Sequence, residues 1–302
     1  MGEAASSLGR HMVLREPAHV RLPPPAPRRA IPAASKLRQR RKDNQLETLA
    51  GEARFAALSS RFSIIADLNA NERDIVERLD HSARRIHQAG SDLAGEGEIA
   101  PPPMFIVSGW ACRLRISATG RRQILGFLLP GDGVCLRGPA EHVSAFTVCA
   151  LTTVETVDAA AFLKMAALPK TYPGIALAVE GAKLQDELFT ANQIMRLGTQ
   201  TRTERLANLL LELHWRQQQT GLADAHAFPM PLTRETLADA LGMSASRINL
   251  ELGWLRARNM LSVRYQRGEV LSRTAAERLA GFTAPEARFS APPGSSSLST
   301  AS

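Results

Sequence analysis

The chain of 302 residues has no uncharged apolar run near the roughly 18 residues that a membrane-spanning helix needs. Its N-terminus carries Arg10 and Arg15 with no apolar core behind them, so a secretory leader is not expected. The three cysteines, Cys112, Cys135 and Cys149, cannot all pair with one another and form no CxxC. A disulfide framework and a zinc ribbon are therefore poor readings, and buried thiols in a reducing, cytoplasmic setting are the expectation. No GxSxG, P-loop, HExxH or GxGxxG after a strand occurs, and the seven histidines are scattered without metal-ligand spacing. Asp74 with Glu77, and Asp186 with Glu187, read as solvated helix faces rather than acid–base pairs. An enzyme and a metal site are both unsupported. Acid is also scarce: 29 Asp and Glu stand against 37 Lys and Arg, a formal charge of +8. That balance favours an anionic partner, nucleic acid being the commonest.

The length suggests two domains with spare segments. Residues 1–52 read as a disordered arm: Pro17, Pro23, Pro24, Pro25, Pro27 and Pro32 crowd together, and Arg28, Arg29, Lys36, Arg38, Arg40, Arg41 and Lys42 follow with few apolar neighbours. The serine-rich tail, 283–302, reads the same way. Within 53–171, Cys112, Leu114 and Ile116 alternate with Arg113 and Arg115, the period of a half-buried strand. Ala118-Thr119-Gly120 is a turn, Arg121 to Leu129 the return strand, Pro130 to Gly133 a second turn, and Phe146 to Val157 a Val- and Thr-rich strand run. Short antiparallel strands at this spacing suggest a small barrel or roll.

Over 172–198 the period becomes helical, with Ile175, Val179, Ala182, Leu188, Phe189, Asn192 and Met195 near one face and Pro173 at the start. About 24 residues would span roughly 36 Å, and such a stripe needs cover. Either the helix packs on its own domain, or Ile175, Val179, Ala182, Phe189 and Asn192 form a homodimer coiled coil. In 199–282, Thr203 to Trp215 is amphipathic through Leu206, Leu209, Leu210 and Leu213. Thr233 then caps a short helix whose inner residues are Leu237, Ala238 and Leu241, with Thr236 where a capping box would want Glu or Gln. Gly242 ends it, and Ser244 caps a second helix, Ala245 to Arg258, with Ile248, Leu252 and Leu255 inward. A short helix, a glycine turn and a longer amphipathic helix make a helix-turn-helix, whose second helix enters the major groove of double-stranded DNA.

The stretch Ile106 to Asp132, which includes Ser108-Gly-Trp-Ala-Cys112 and Leu129-Pro-Gly-Asp132, resembles the sensor roll of the Crp/Fnr superfamily of transcription regulators. So do Ala150-Leu-Thr152 and Arg202-Thr-Glu-Arg-Leu-Ala-Asn-Leu-Leu-Leu-Glu-Leu213. The resemblance runs from about Phe62 to Phe282. It implies an α+β chain: a cyclic-nucleotide-binding-like β-roll (a double-stranded β-helix, jelly-roll-like), a long dimerisation helix and a C-terminal winged helix-turn-helix. The wing would be a hairpin around Leu261 to Leu271, turning at Arg267-Gly268. It implies a homodimer on a pseudo-palindromic site, with RNA polymerase a further partner.

Departures from the family pattern are informative. Members that bind a cyclic nucleotide place a Gly-Glu pair after the Pro-Gly-Asp turn and an Arg for the phosphate; here Val134-Cys-Leu-Arg-Gly-Pro139 follows, and Ser144 or a neighbour stands at the phosphate position. Arg137 is the nearest substitute. Oxygen-sensing members carry an N-terminal cysteine cluster for iron–sulfur, and this arm has none. No cofactor is expected. On the second helix, Ser246 and Leu250 replace the polar or acidic residue and the Arg that members use. Base reading falls to Ser244, Ala245, Ser246, Arg247 and Asn249, with Leu250 placed for a thymine methyl group. Thr233 and Arg234 at the first helix, and Arg267 on the wing, complete the DNA-binding set. Two other classes stay open: a nucleotide sensor whose DNA binding has weakened, and a protein–protein adaptor.

Overall fold

The computed structural model describes residues 56–136 and 143–285. The expected arm, Arg137 and all of the tail beyond 285 lie outside the described residues.

Among the described residues two helices come first, α1 (Ala57–Ile65) and α2 (Ala70–Asp80). Eight short strands follow: β1 (Arg84–His87), β2 (Asp92–Ala94), β3 (Met104–Ser108), β4 (Ala111–Ile116), β5 (Arg122–Leu128), β6 (Gly133–Val134), β7 (Thr147–Ala150) and β8 (Val154–Asp158). They form two four-stranded sheets, β1-β8-β3-β6 and β2-β7-β4-β5, with every pairing antiparallel. Leu93, Met104, Ile106, Ala111, Leu128, Val134, Val148 and Val154 fill one buried cluster of this roll. The β4–β5 hairpin turns at Gly120, whose φ of 76° suits glycine. Strand β4 is covered on both faces where it starts. Ala111 belongs to that cluster, while Trp110, Cys112 and Leu114 belong to another shared with the C-terminal helices. Ile116, expected on the buried face with Cys112 and Leu114, is 61 % exposed, because the hairpin outruns its cover there.

A helical cap closes one side of the roll. Phe62, Phe105 and Phe162 form an aromatic trio with ring centroids 5.3 to 5.7 Å apart, each such contact contributing about 0.5–1.5 kcal/mol beyond area burial. Phe162 lies on α3 (Ala160–Ala166). Two carboxylates of α2 organise the cap by satisfying the orphan amides of other helices. Asp80 accepts from the amides of Leu58 and Ser59 at the start of α1. Glu72 accepts from the amides of Gly174 and Ile175 at the start of α4 (Pro173–Thr199). Gly174 is required there, since a Cβ would lie 2.5 Å from the Glu72 carboxylate.

Helix α4 has 27 residues and leads into α5 (Arg202–Gln219). Then come β9 (Ala227–Pro229), α6 (Arg234–Leu241), α7 (Ala245–Ala257), β10 (Leu261–Arg264), β11 (Arg267–Val270) and α8 (Arg273–Ala280). The strands form an antiparallel sheet ordered β10-β11-β9. Arg264 pairs with Arg267, so the hairpin turns at Tyr265-Gln266, not at Arg267-Gly268 as the sequence suggested. Both turn residues have positive φ, 50° and 62°, the geometry of a two-residue hairpin made without glycine. Gly268 serves packing instead: a Cβ there would stand 2.2 Å from the Phe228 ring.

The C-terminal helices are docked on the roll. Leu206, Leu209, Leu210, Leu237 and Leu241 share a cluster with Trp110, Ile124 and Phe127. Buried polar groups stitch the joint. Arg216 of α5 pairs with Asp132, donates to the Phe127 carbonyl at 3.1 Å and lies 4.3 Å from the Phe189 ring centroid. Arg61 of α1 reaches the same Asp132 at 3.5 Å. Arg196 of α4 binds Glu212 at 2.6 Å, and its guanidinium also donates to Asn208 and Gln193. Arg122 of β5 pairs with Asp239 of α6 at 2.5 Å.

Candidate nucleic-acid interface

The two-helix unit is built by local rules. Thr233 has extended backbone geometry, and its hydroxyl accepts from the Thr236 amide at 3.1 Å, which starts α6. Gly242 ends α6 in the left-handed region with φ 64°, its amide donating to Ala238. The Ser244 hydroxyl then accepts from the Arg247 amide at 3.3 Å and starts α7. Leu237, Leu241, Ile248, Leu252 and Leu255 are buried between and beneath the helices. This leaves Thr233, Ser244, Ser246, Asn249 and Leu250 exposed, with Ala245, Arg234 and Arg247 half-buried. Leu250 is 64 % exposed, a large apolar side chain on an otherwise polar face.

Two arginines of the expected set already have partners within the chain. Arg234 Nε donates to Asn249 Oδ1 at 3.0 Å and its terminal nitrogen reaches the Val263 carbonyl at 3.4 Å. It thereby bridges α6, α7 and β10. Burial lowers its pKa and Glu235 opposes that shift; a guanidinium stays charged regardless. Both named acceptors are uncharged, so they leave that cation without a neutralising ion pair. Arg247 Nε lies 2.6 Å from Glu251 Oε1 on the same helix. The buried Glu251 carboxylate in turn accepts from the Thr203 hydroxyl of α5 at 2.5 Å. Thr203, Glu251 and Arg247 thus form a chain from α5 to the outer face of α7.

On the wing, Arg267 is exposed and lies 3.6 Å from Glu269. Tyr265 at the wing tip is 84 % exposed and was not singled out by the sequence reading. Nor were Arg256 and Arg258, exposed at the end of α7, where Arg258 lies 3.9 Å from the Trp254 ring centroid. Their signal was present: basic residues in a helix's last turn, and an aromatic four residues before an arginine.

The long helix requires a correction. Ile175 and Val179, expected on a dimer seam, are buried in the chain's own cap with Ala182 packed beside them. Phe189 is buried against Trp215, with centroids 6.3 Å apart, and Arg216. Asn192 is half-buried. That stripe faces inward because α4 must first cover the roll. The outward face carries a different series. Leu184, Ala191 and Gly198 recur every seventh residue, and Leu188 and Met195 recur four residues after the first two, all of them exposed. Leu184, Leu188 and Met195 are 49 %, 39 % and 59 % exposed.

In the roll, Ser144 is buried and its hydroxyl donates to the Phe146 carbonyl at 2.7 Å. Arg113 is paired with Asp186 of α4 and packs 5.4 Å from the Phe146 ring centroid. Among the described residues no group of three or more His, Cys, Asp or Glu side chains is placed to hold a metal, and no helix is long and apolar enough to cross a membrane.

Residues 204–279 match the Crp-like helix-turn-helix domain. Nitrogen fixation regulation protein FixK of Azorhizobium caulinodans is 25% identical over 218 residues, covering 72% of this chain and 86% of that protein. Transcriptional activator protein FnrL of Cereibacter sphaeroides is 26% identical over 216 residues, covering 70% and 84%. The solved structure of FixK2 from Bradyrhizobium japonicum shares the fold, with a TM-score of 0.56 at 22% identity over 67% of this chain and 98% of that one. The chain thus joins a Crp-like helix-turn-helix through a long helix to an antiparallel roll, and it is similar to transcription regulators of the Crp/Fnr superfamily.

Proposed function

We propose that the chain is a homodimer that binds a pseudo-palindromic DNA site and regulates transcription from it, with RNA polymerase as a further partner and no catalytic step. The observation that carries this reading is the face shared by α6 and α7, where Arg234 brings a cation bonded to Asn249 of the helix that also exposes Ser246 and Leu250. Half-sites one DNA turn apart need two such units, and the heptad series on α4 supports the dimer. Leu184, Leu188, Ala191 and Met195 replace the inward-facing set as its seam.

The roll is proposed to work without a cyclic nucleotide. A phosphate needs charge-assisted bonds; Ser144 supplies a neutral hydroxyl already donated to Phe146, and Arg113 is neutralised by Asp186. The competing reading, a nucleotide sensor or adaptor with weakened DNA binding, draws on Arg247 being tied to Glu251. One experiment separates them. Duplexes selected from a random pool are titrated at several salt concentrations, with and without cyclic AMP or cyclic GMP. The proposal expects a selected site bound at least about a thousand-fold better than scrambled duplex, unchanged by either nucleotide. Binding that is equal on both duplexes contradicts it. Calorimetry giving a low-micromolar dissociation constant for either nucleotide contradicts the reading of the roll.

A further inference from the structure

Cys112 and Cys149 sit directly opposite each other on adjacent antiparallel strands, β4 and β7. Residues so paired project to the same face with Cα atoms about 4.5–5.5 Å apart, inside the roughly 4.4–6.8 Å that a disulfide spans. Both are thiols in this structure. The face they share is the one on which the helix-turn-helix is seated. Cys112 lies in the cluster with Trp110, Leu114 and the leucines of α5 and α6, and Cys149 packs against that cluster. The other neighbour of Cys112 across the sheet is Phe127. Arg122 and Asp239, the ion pair that joins β5 to α6, both act electrostatically on Cys112.

We propose that Cys112 and Cys149 are a reversible disulfide site, closed by a peroxide, that alters how the helix-turn-helix is seated on the roll. Cys149, half-buried, is the entry point. Its sulfur attacks hydrogen peroxide, the O–O bond breaks, and a sulfenic acid and one water result. The Cys112 sulfur then displaces the sulfenic hydroxyl, which leaves as a second water with the Cys112 proton. The two thiols lose two electrons and two protons, and the peroxide is reduced to two waters. Burial, with Cys149 adding to it, pushes the Cys112 thiol up to about 12, so the deeper sulfur resolves rather than initiates. Closure brings the two Cβ atoms to about 3.8 Å. That draws Cys112 sideways from Phe127 and the leucines above it, and a close-packed joint does not refill the gap without moving.

The test uses the full chain treated with hydrogen peroxide, alkylated with iodoacetamide and digested without reduction. The expected product is a peptide pair linked Cys112–Cys149, opened by dithiothreitol and absent from Cys149→Ala. Hydrogen exchange across Arg234–Leu241 should quicken about ten-fold in the oxidised chain, return on reduction, and stay unchanged in Cys149→Ala; Cys135→Ala should behave as wild type. Over-oxidation of Cys149 without a link, a link through Cys135, or a Cys112–Cys149 link that leaves exchange over α6 unaltered would each overturn the proposal. Exchange and mapping need no DNA. The effect on transcription rests on the DNA-binding reading, so a chain that binds no duplex in either redox state defeats that reading alone.

Discussion

At the scale of single side chains, the proposed interface gives gripping to Arg234 and reading to Arg247. Arg234 spans three elements from the N-terminal end of α6, the part of a helix-turn-helix that crosses the DNA backbone. Arg234→Ala should weaken specific and scrambled duplexes alike and lower the salt slope by about one. Arg247 lies one turn into α7 and must leave Glu251 to reach a guanine edge. Arg247→Ala should cost about 1–3 kcal/mol on the selected site and much less on scrambled DNA. Titrations of both variants on both duplexes across salt decide it, and equal losses for Arg247→Ala would make it a phosphate contact. A second residue-scale effect is pH. His214 is buried, with Nε2 donating to the Asp224 carbonyl at 2.8 Å and Nδ1 accepting from Arg273 at 3.2 Å. Burial holds its pKa below the ordinary 6.5, the Asp224 hydrogen bond pulling the other way. The unfolded chain therefore takes up a proton that the native chain refuses. This contribution to stability is complete above pH 6.5 and is lost as pH falls below it. Urea midpoints between pH 7.5 and 5.5 should drop with a slope of up to about 1.4 kcal/mol per pH unit from this group, and His214→Gln should flatten that slope.

Among the elements, the wing carries a visible flaw. Tyr265 and Gln266 both occupy positive φ, where an L side chain costs about 1–2 kcal/mol. Asn-Gly is the pair that favours this turn. Tyr265→Asn combined with Gln266→Gly should stabilise the chain by about 1–2 kcal/mol, read as a higher urea midpoint with an unchanged m-value. The turn escaped the sequence reading because neither residue advertises it, and Gly268 drew attention to itself for a reason of packing. By contrast the helix-turn-helix was legible, since Thr233, Gly242 and Ser244 each state their backbone role locally. The cap was not. Asp80 and Glu72 act on amides 21 to 103 residues away, and only the capping box Asn69–Glu72 has a local signature.

At the scale of the whole molecule, α4 covers its own chain with one stripe and, in the proposed dimer, meets a second copy with the other. Its apolar residues lie both inward and outward, so periodicity merged the exposed Leu188 and Met195 into one stripe with Ile175, Val179 and Phe189, which the chain's own core takes. Leu184→Glu with Leu188→Glu should give a folded monomer by light scattering at micromolar concentration, with specific DNA affinity lost. Val179→Glu should instead unfold the cap, a charge buried without a partner. A wild-type monomer would refute the dimer. The interface was readable in part: residue types and caps were plain, and Arg247–Glu251 has the local spacing of an i,i+4 pair, but the tie Arg234–Asn249 arises from packing between two helices. The buried ion network has a consequence for anyone recombining this protein. Arg61, Asp132, Arg196, Glu212 and Arg216 come from the cap, the roll, the long helix and α5, and each carboxylate is shared between two arginines. A cut after Thr199 would leave Arg216 and Glu212 with only each other, 3.7 Å apart, and would take Asp132 from Arg216 and Glu212 from Arg196. Chimeric regulators that graft a foreign sensor onto this reader must therefore carry those charges across as a set, or inherit a joint lined with naked ions.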